Sequence, residues 1–141
     1  MPINNFPLIT HSDGRAQAYL RIRITNPHKG RNYLNYGLVD TGADECVIPA
    51  AYAPLLGHDL HAANSSKEII TGSGVTIVYP HTTKIDILHP ITGEIIYTTE
   101  NMLVDFMPNL NITLLGVKNF LGKFILNINY PENKFSLNIH N

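Results

Sequence analysis

Three short stretches of the sequence hold residues whose types and spacing could do chemistry. In the first, Gly37-Leu38-Val39 runs with strand character straight into Asp40-Thr41-Gly42-Ala43. A carboxylate set where a strand leaves the core, followed at once by a tight glycine-containing loop, is presented to solvent beside backbone N–H groups. Such groups stabilise its ionised form. An acid held in this way can take a proton from water or return one. Asp and Gly are also what turn chemistry selects, so the tetrapeptide alone fits an Asp-initiated turn equally well.

The second stretch is Thr71-Gly72-Ser73-Gly74. A phosphate cradle uses such glycines but opens a helix, whereas Val75-Thr76-Ile77-Val78-Tyr79 reads as strand. The sequence therefore predicts a hairpin tip, with Lys67–Ile70 leading in and Val75–Tyr79 leading out. Glycines at a tip let backbone approach a ligand and let the hairpin move. The third stretch, Ile112-Thr113-Leu114-Leu115-Gly116, ends an apolar run on glycine. It fits an ordinary strand end, or a segment passing under another loop where only glycine gives clearance.

The elements that must position these residues are strands. Leu20, Ile22 and Ile24 alternate with Arg21, Arg23 and Thr25. The same period of two recurs at Val75, Ile77 and Tyr79, at Ile85 and Ile87, along Phe124–Tyr130 and along Phe135–Ile139. Pro131-Glu132-Asn133-Lys134 reads as the turn of a hairpin, and His89–Gly93 as another strand connection. Helical signal is confined to Pro49–Leu56, stopped by Gly57, and to Val117–Gly122. The pattern predicts an all-β domain of roughly seven to nine short strands with one or two short helices, closed or nearly closed into a small barrel.

With 141 residues, 44% of them hydrophobic and 15% charged, the chain suits one domain with a hydrophobic core. Net charge is −1 and its Lys and Arg residues are scattered, so no basic face points to nucleic acid. The lone cysteine, Cys46, excludes an internal disulfide and a cysteine-based zinc site, and it reads as a buried structural thiol. Of seven histidines only His58 and His61 stand close together, without a third ligand, so no metal is expected. The start, MPINNFPLIT, is not a signal peptide and no run is apolar enough to span a membrane, which makes a complete chain cytoplasmic.

Taken in order, the strand ending in Asp40-Thr41-Gly42-Ala43, the glycine-containing hairpin and Leu114-Leu115-Gly116 resemble the retropepsin-like (retroviral-type) aspartic proteases. The resemblance covers roughly residues 18–139, leaving 1–17 as an N-terminal extension to a protease domain at 18–141. It implies a small acid-protease barrel that hydrolyses peptide bonds without a cofactor. Asp40 would be the catalytic acid, with Thr41, Gly42 and Ala43 supporting its loop. Asp44, Thr71, Gly72, Ser73, Gly74 and Val75 would contact an extended peptide, residues 71–75 as a flap. Leu114, Leu115 and Gly116 would support the second loop.

This chemistry uses two carboxylates, and the sequence holds one Asp-Thr-Gly, so the resemblance implies a homodimer with one Asp40 from each chain. One position departs from the family. Viral members have Gly-Arg-Asn or Gly-Arg-Asp where this chain has Gly116-Val117-Lys118-Asn119, so the arginine that would pair with Asp44 is replaced by Val117. Two other readings stay open: a catalytically silent dimer on the same fold that binds extended peptides or serves as an interaction module, and a lipocalin-like barrel for a small ligand.

Overall fold

Strand faces follow the alternation. In β4 (Tyr19–Asn26), Leu20, Ile22 and Ile24 are buried while Arg21, Arg23 and Thr25 lie on the half-buried face. β5 (Arg31–Val39) returns antiparallel, from Asn26 opposite Arg31 to Tyr19 opposite Leu38. The turn between them holds Gly30 at φ 67°, a left-handed conformation that glycine adopts without steric cost. The computed structural model describes residues 3–62, 66–72 and 74–140.

The longest strand, β8 (Gly74–Leu88), changes neighbours along its length. Its first part pairs with β7 (Lys67–Thr71), its middle with β10 (Met102–Met107), and its last part with both β4 and β9 (Ile95–Thr98). Two strands of three residues complete the main sheet. β11 (Thr113–Leu115) lies between β5, to which it is parallel, and β6 (Val47–Pro49), and β6 in turn runs parallel to β10. Because β10 pairs with β8 as well as with β6, the path β10-β6-β11-β5-β4-β8 returns on itself as a nearly closed, mostly-β ring. Ile22, Ile24, Ile48, Ile85, Ile87, Phe106 and Leu115 fill it, each fully buried. Burial of side chains this size stabilises a fold by about 1.5–3 kcal/mol apiece.

A second sheet has the order β1 (Ile3–Pro7), β13 (Lys134–Ile139), β12 (Phe124–Asn129). The β12–β13 hairpin turns over Pro131–Asn133, where Asn133 sits at φ 56°. β1 pairs with the outer edge of β13, placing Ile3 opposite Leu137 and burying both Ile3 and Leu8. The pair β2 (Ile9–Thr10) and β3 (Ala16–Gln17) leads into β4. Thirteen strands among the described residues thus stand where alternation predicts seven to nine. The additional ones are short, and pairing with neighbours rather than a run of alternation defines them.

The short helical segments take 3-10 form. Ala50–Tyr52 and Pro54–Leu56 cover the first expected segment, with Gly57 at φ 75° ending it. The second differs from expectation. Residues 117–120 form turns and the 3-10 segment is Leu121–Lys123, so Gly122 lies inside it rather than beyond its end. The cause lies at its start, where the N–H groups of Val117 and Lys118 donate to Ala43 O at 3.0 Å and Asp44 O at 2.7 Å. The backbone is thereby anchored across to the neighbouring loop.

Asn26 ties the segment after β6 to the ring by donating from Nδ2 to Leu56 O at 2.9 Å. Next to it His58 stacks on His81 (ring centroids 4.6 Å apart) and meets the Phe106 ring edge-on at 5.5 Å. Burial, with the nearby His81, His28 and Lys29, holds the His58 imidazole down to about 4. The folded state therefore favours neutral His58. As pH falls from about 6.5 towards about 4 the unfolded chain takes up a proton that the folded chain resists, so stability declines across that window. The expected loss is about 1–2 kcal/mol, discounted for the partial exposure of the ring. Urea unfolding at a series of pH values checks it, and His58→Gln should flatten the profile.

Candidate active site

Asp40 lies where β5 leaves the ring. The preceding Val39 N–H donates to Ala18 O at 2.9 Å, and Asp40 N–H donates to Leu115 O at 3.1 Å. Its backbone is therefore set by Ala18, just before β4, on one side and by β11 on the other. The loop then folds on the acid: Gly42 N–H donates to Asp40 Oδ1 at 3.0 Å, and Ala43 N–H to Asp40 O at 3.1 Å. A Cβ on Gly42 would stand 3.3 Å from that same Oδ1, closer than ordinary contact. Asp40 is half-buried, and Thr41 and Gly42 are exposed.

Below this loop the chain makes a close crossing. A Cβ on Gly116 would reach within 2.6 Å of Glu45 Cα and run into the rest of that residue's backbone. Three hydrogen bonds stitch the segments together: the two from Val117 and Lys118, and Cys46 N–H to Asn119 Oδ1 at 2.9 Å. Leu115 is buried in register with Val39, and its side chain fills the space that Gly37 leaves open. Leu114 faces the other way, opposite Leu38 and Val47. Cys46 is buried and its thiol is pushed up to about 12 by desolvation, which suits a structural residue rather than a nucleophile.

A cleft of about 640 Å³ opens in front of Asp40. The Asp40 loop and Leu114 line one side, and Lys67, Ile69, Ile70, Thr71 and Gly72 of the β7–β8 hairpin line another. That hairpin pairs Thr71 with Gly74, and Thr71 Oγ1 donates to Gly74 O at 3.0 Å. Gly74 takes φ 110°. Ile70 and Val75 at the tip are among the most exposed apolar side chains, at 87% and 66%. Ser73 lies outside the described residues.

The structure thus brings Asp40, Gly42, Ala43, Asp44, Thr71, Gly72 and Leu114 around one cleft. Gly74 and Val75 stand at the hairpin tip, while Leu115 and Gly116 lie beneath the loop. Asp44 is exposed and has no ion pair among the described residues, and Lys118 shares the cleft wall with it. Sequence reasoning passed over Asp105 and Lys67, which line the same cleft and form an ion pair at 3.0 Å. The signal was an acid interrupting the apolar run Met102-Leu103-Val104-Asp105-Phe106-Met107. His58 and His61 turn to different rings, His81 and Tyr79, and no group of three His, Cys, Asp or Glu side chains among the described residues could hold a metal. No helix among them is long and apolar enough to cross a membrane.

Compared with solved structures, the fold matches that of a retropepsin-like aspartic protease from Rickettsia conorii. The TM-score is 0.65 at 20% identity, over 99% of this chain and 94% of the other. The sequence matches the family model "Retroviral aspartyl protease" over residues 14–124. The chain belongs to the retroviral aspartyl protease family. No curated protein matches it in sequence.

The close crossing generates a prediction. Gly116→Ala forces a methyl group into the Glu45 backbone and should destabilise the fold by about 3 kcal/mol, measured by chemical unfolding. Cys46→Ser, in contrast, should leave the cleft intact, since no reaction of the thiol is used there.

Proposed function

We propose that the protein is an aspartic endopeptidase that works as a homodimer, with Asp40 of each copy completing the other's site. The observation that carries this reading is the single Asp40-Thr41-Gly42 loop, fixed by two strands and opening onto a cleft walled by a glycine-containing hairpin. One carboxylate can accept a proton or donate one, but peptide hydrolysis by activated water needs both at once. A two-fold axis beside the exposed Thr41 and Gly42 supplies the second acid from an identical surface.

In that dimer the two carboxylates share one proton. The ionised member takes a proton from water as it attacks the carbonyl carbon, and the protonated member hydrogen-bonds the carbonyl oxygen as charge develops there. Thr41 hydrogen-bonds across the axis to hold the loops together. The hairpin tip at 71–75 acts as the flap: it closes over an extended peptide, hydrogen-bonds its backbone and excludes water. Asp44 and the backbone of Gly42 and Ala43 receive the peptide from below.

A second reading, a silent dimer that binds extended peptides or serves as an interaction module, draws on Val117. It stands where the family arginine would brace Asp44, and Asp44 has no ion pair among the described residues. Cleavage of a diverse peptide pool at mildly acidic pH separates the two. The wild type should cut, and Asp40→Asn should lose about 10³-fold or more in rate while unfolding at the same temperature. Equal cleavage by the Asn variant would refute the role of Asp40. Sedimentation should find dimers at tens of micromolar, a concentration in the range where interfaces of modest affinity hold.

A further inference from the structure

A second carboxylate stands in the wall of the cleft. Asp105 is 8% exposed and lies on β10 between the buried Val104 and Phe106. Removing an ionised carboxylate from water is unfavourable unless a cation and hydrogen bonds replace the lost solvation. The ion pair that Asp105 makes is with Lys67, whose Nζ lies 3.0 Å from Oδ2 and whose side chain is 51% exposed. A carboxylate can accept several hydrogen bonds, and a single ammonium on a flexible stem meets that capacity poorly.

The two partners come from different parts of the fold. Asp105 sits in the ring, opposite Val47 of β6 and Pro80 of β8. Lys67 begins β7, at the root of the hairpin that covers the cleft. The anion thus sits in the ring, and the cation, on the hairpin, is half in solvent. Four acids and two lysines line the cleft, which sets its balance of charge in favour of cations.

We propose that Asp105 is a specificity-determining residue that receives a basic side chain of the bound peptide, arginine in preference to lysine, in exchange for Lys67. The guanidinium fork can engage both carboxylate oxygens, which the resident ammonium does not. Lys67 acts as the placeholder that keeps Asp105 paired while the cleft is empty. This inference rests on the peptide-cleft reading given above and names the class of peptide that the cleft takes.

The test uses a positional-scanning peptide library in which arginine, lysine, glutamate and citrulline, the neutral counterpart of arginine, are placed at each position in turn. Cleavage by the wild-type protein and binding to Asp40→Asn, followed by fluorescence anisotropy, are read in parallel. One position should favour arginine over citrulline by roughly tenfold. Asp105→Asn, checked for an unchanged fold by circular dichroism, should bring that ratio close to one, and Lys67→Met should raise it. If Asp105→Asn fails to fold, the Lys67→Met arm decides, because a ratio that does not rise there overturns the proposal. A ratio near one in the wild type, a ratio unaffected by Asp105→Asn, a preference for glutamate, or no binding of any peptide also overturns it. Cleavage without an arginine preference leaves the protease reading standing and removes this one. Arginine-selective binding that depends on Asp105 but is followed by no cleavage does the reverse.

Discussion

The contact on which the site depends is the crossing of two backbones, Gly116 against Glu45. Strands β5, β11 and β6 can lie side by side only if the chain leaving β11 passes directly against the chain entering β6. The clearance there is smaller than one methyl group. Once they touch, the peptide groups on each side find partners in the other, from Val117 to Ala43, from Lys118 to Asp44 and from Cys46 to Asn119. The two loops are thereby joined into one body. Asp40 inherits its position from that body rather than from contacts of its own side chain, whose hydrogen bond is to the N–H of Gly42 two residues on.

Rigidity of this kind separates the loop from the hairpin. Around Asp40 the backbone is tied to Ala18, to Leu115 and to the Val117–Lys118 segment, while the tip of the β7–β8 hairpin exposes Ile70 and Val75 and has open space around Gly72. A fixed acid beneath and a loosely packed cover above is the division of labour that a site needs if it must both hold geometry and admit a chain. Large apolar side chains exposed close together, as Ile70 and Val75 are, form the kind of surface that marks interaction sites in proteins generally.

Much of this was legible in the residues. Alternation along Leu20–Thr25 and Phe124–Tyr130 placed β4 and β12, the Pro131–Lys134 turn placed β13 beside β12, and glycine at 116 marked the close crossing. The strands that escaped are those with too few residues to show a period. β6 has three residues, Val47–Pro49, and is held by β11 and β10 on its flanks. β1 gains its order from β13, more than a hundred residues away in sequence. Asp105 left a signal as an acid within an apolar run, but its pairing with Lys67 was not legible. Nothing local marks a lysine at the start of one strand as the partner of an acid in another, and the pair exists because both flank β8.

The fifteen residues of β8 tie these parts into a mechanical chain. The strand gives five rungs to β7, five to β10 and five to β4, so no single neighbour holds it throughout. Pro80, which has no N–H to offer, lies two residues past the last β7 rung, at the handover from cover to ring. Toward the tip its partner among the described residues is β7, whereas at the other end Ile87 lies between Ile22 of β4 and Tyr97 of β9. One continuous strand thus belongs to the ring at one end and to a two-stranded hairpin at the other, with proline at the boundary between them.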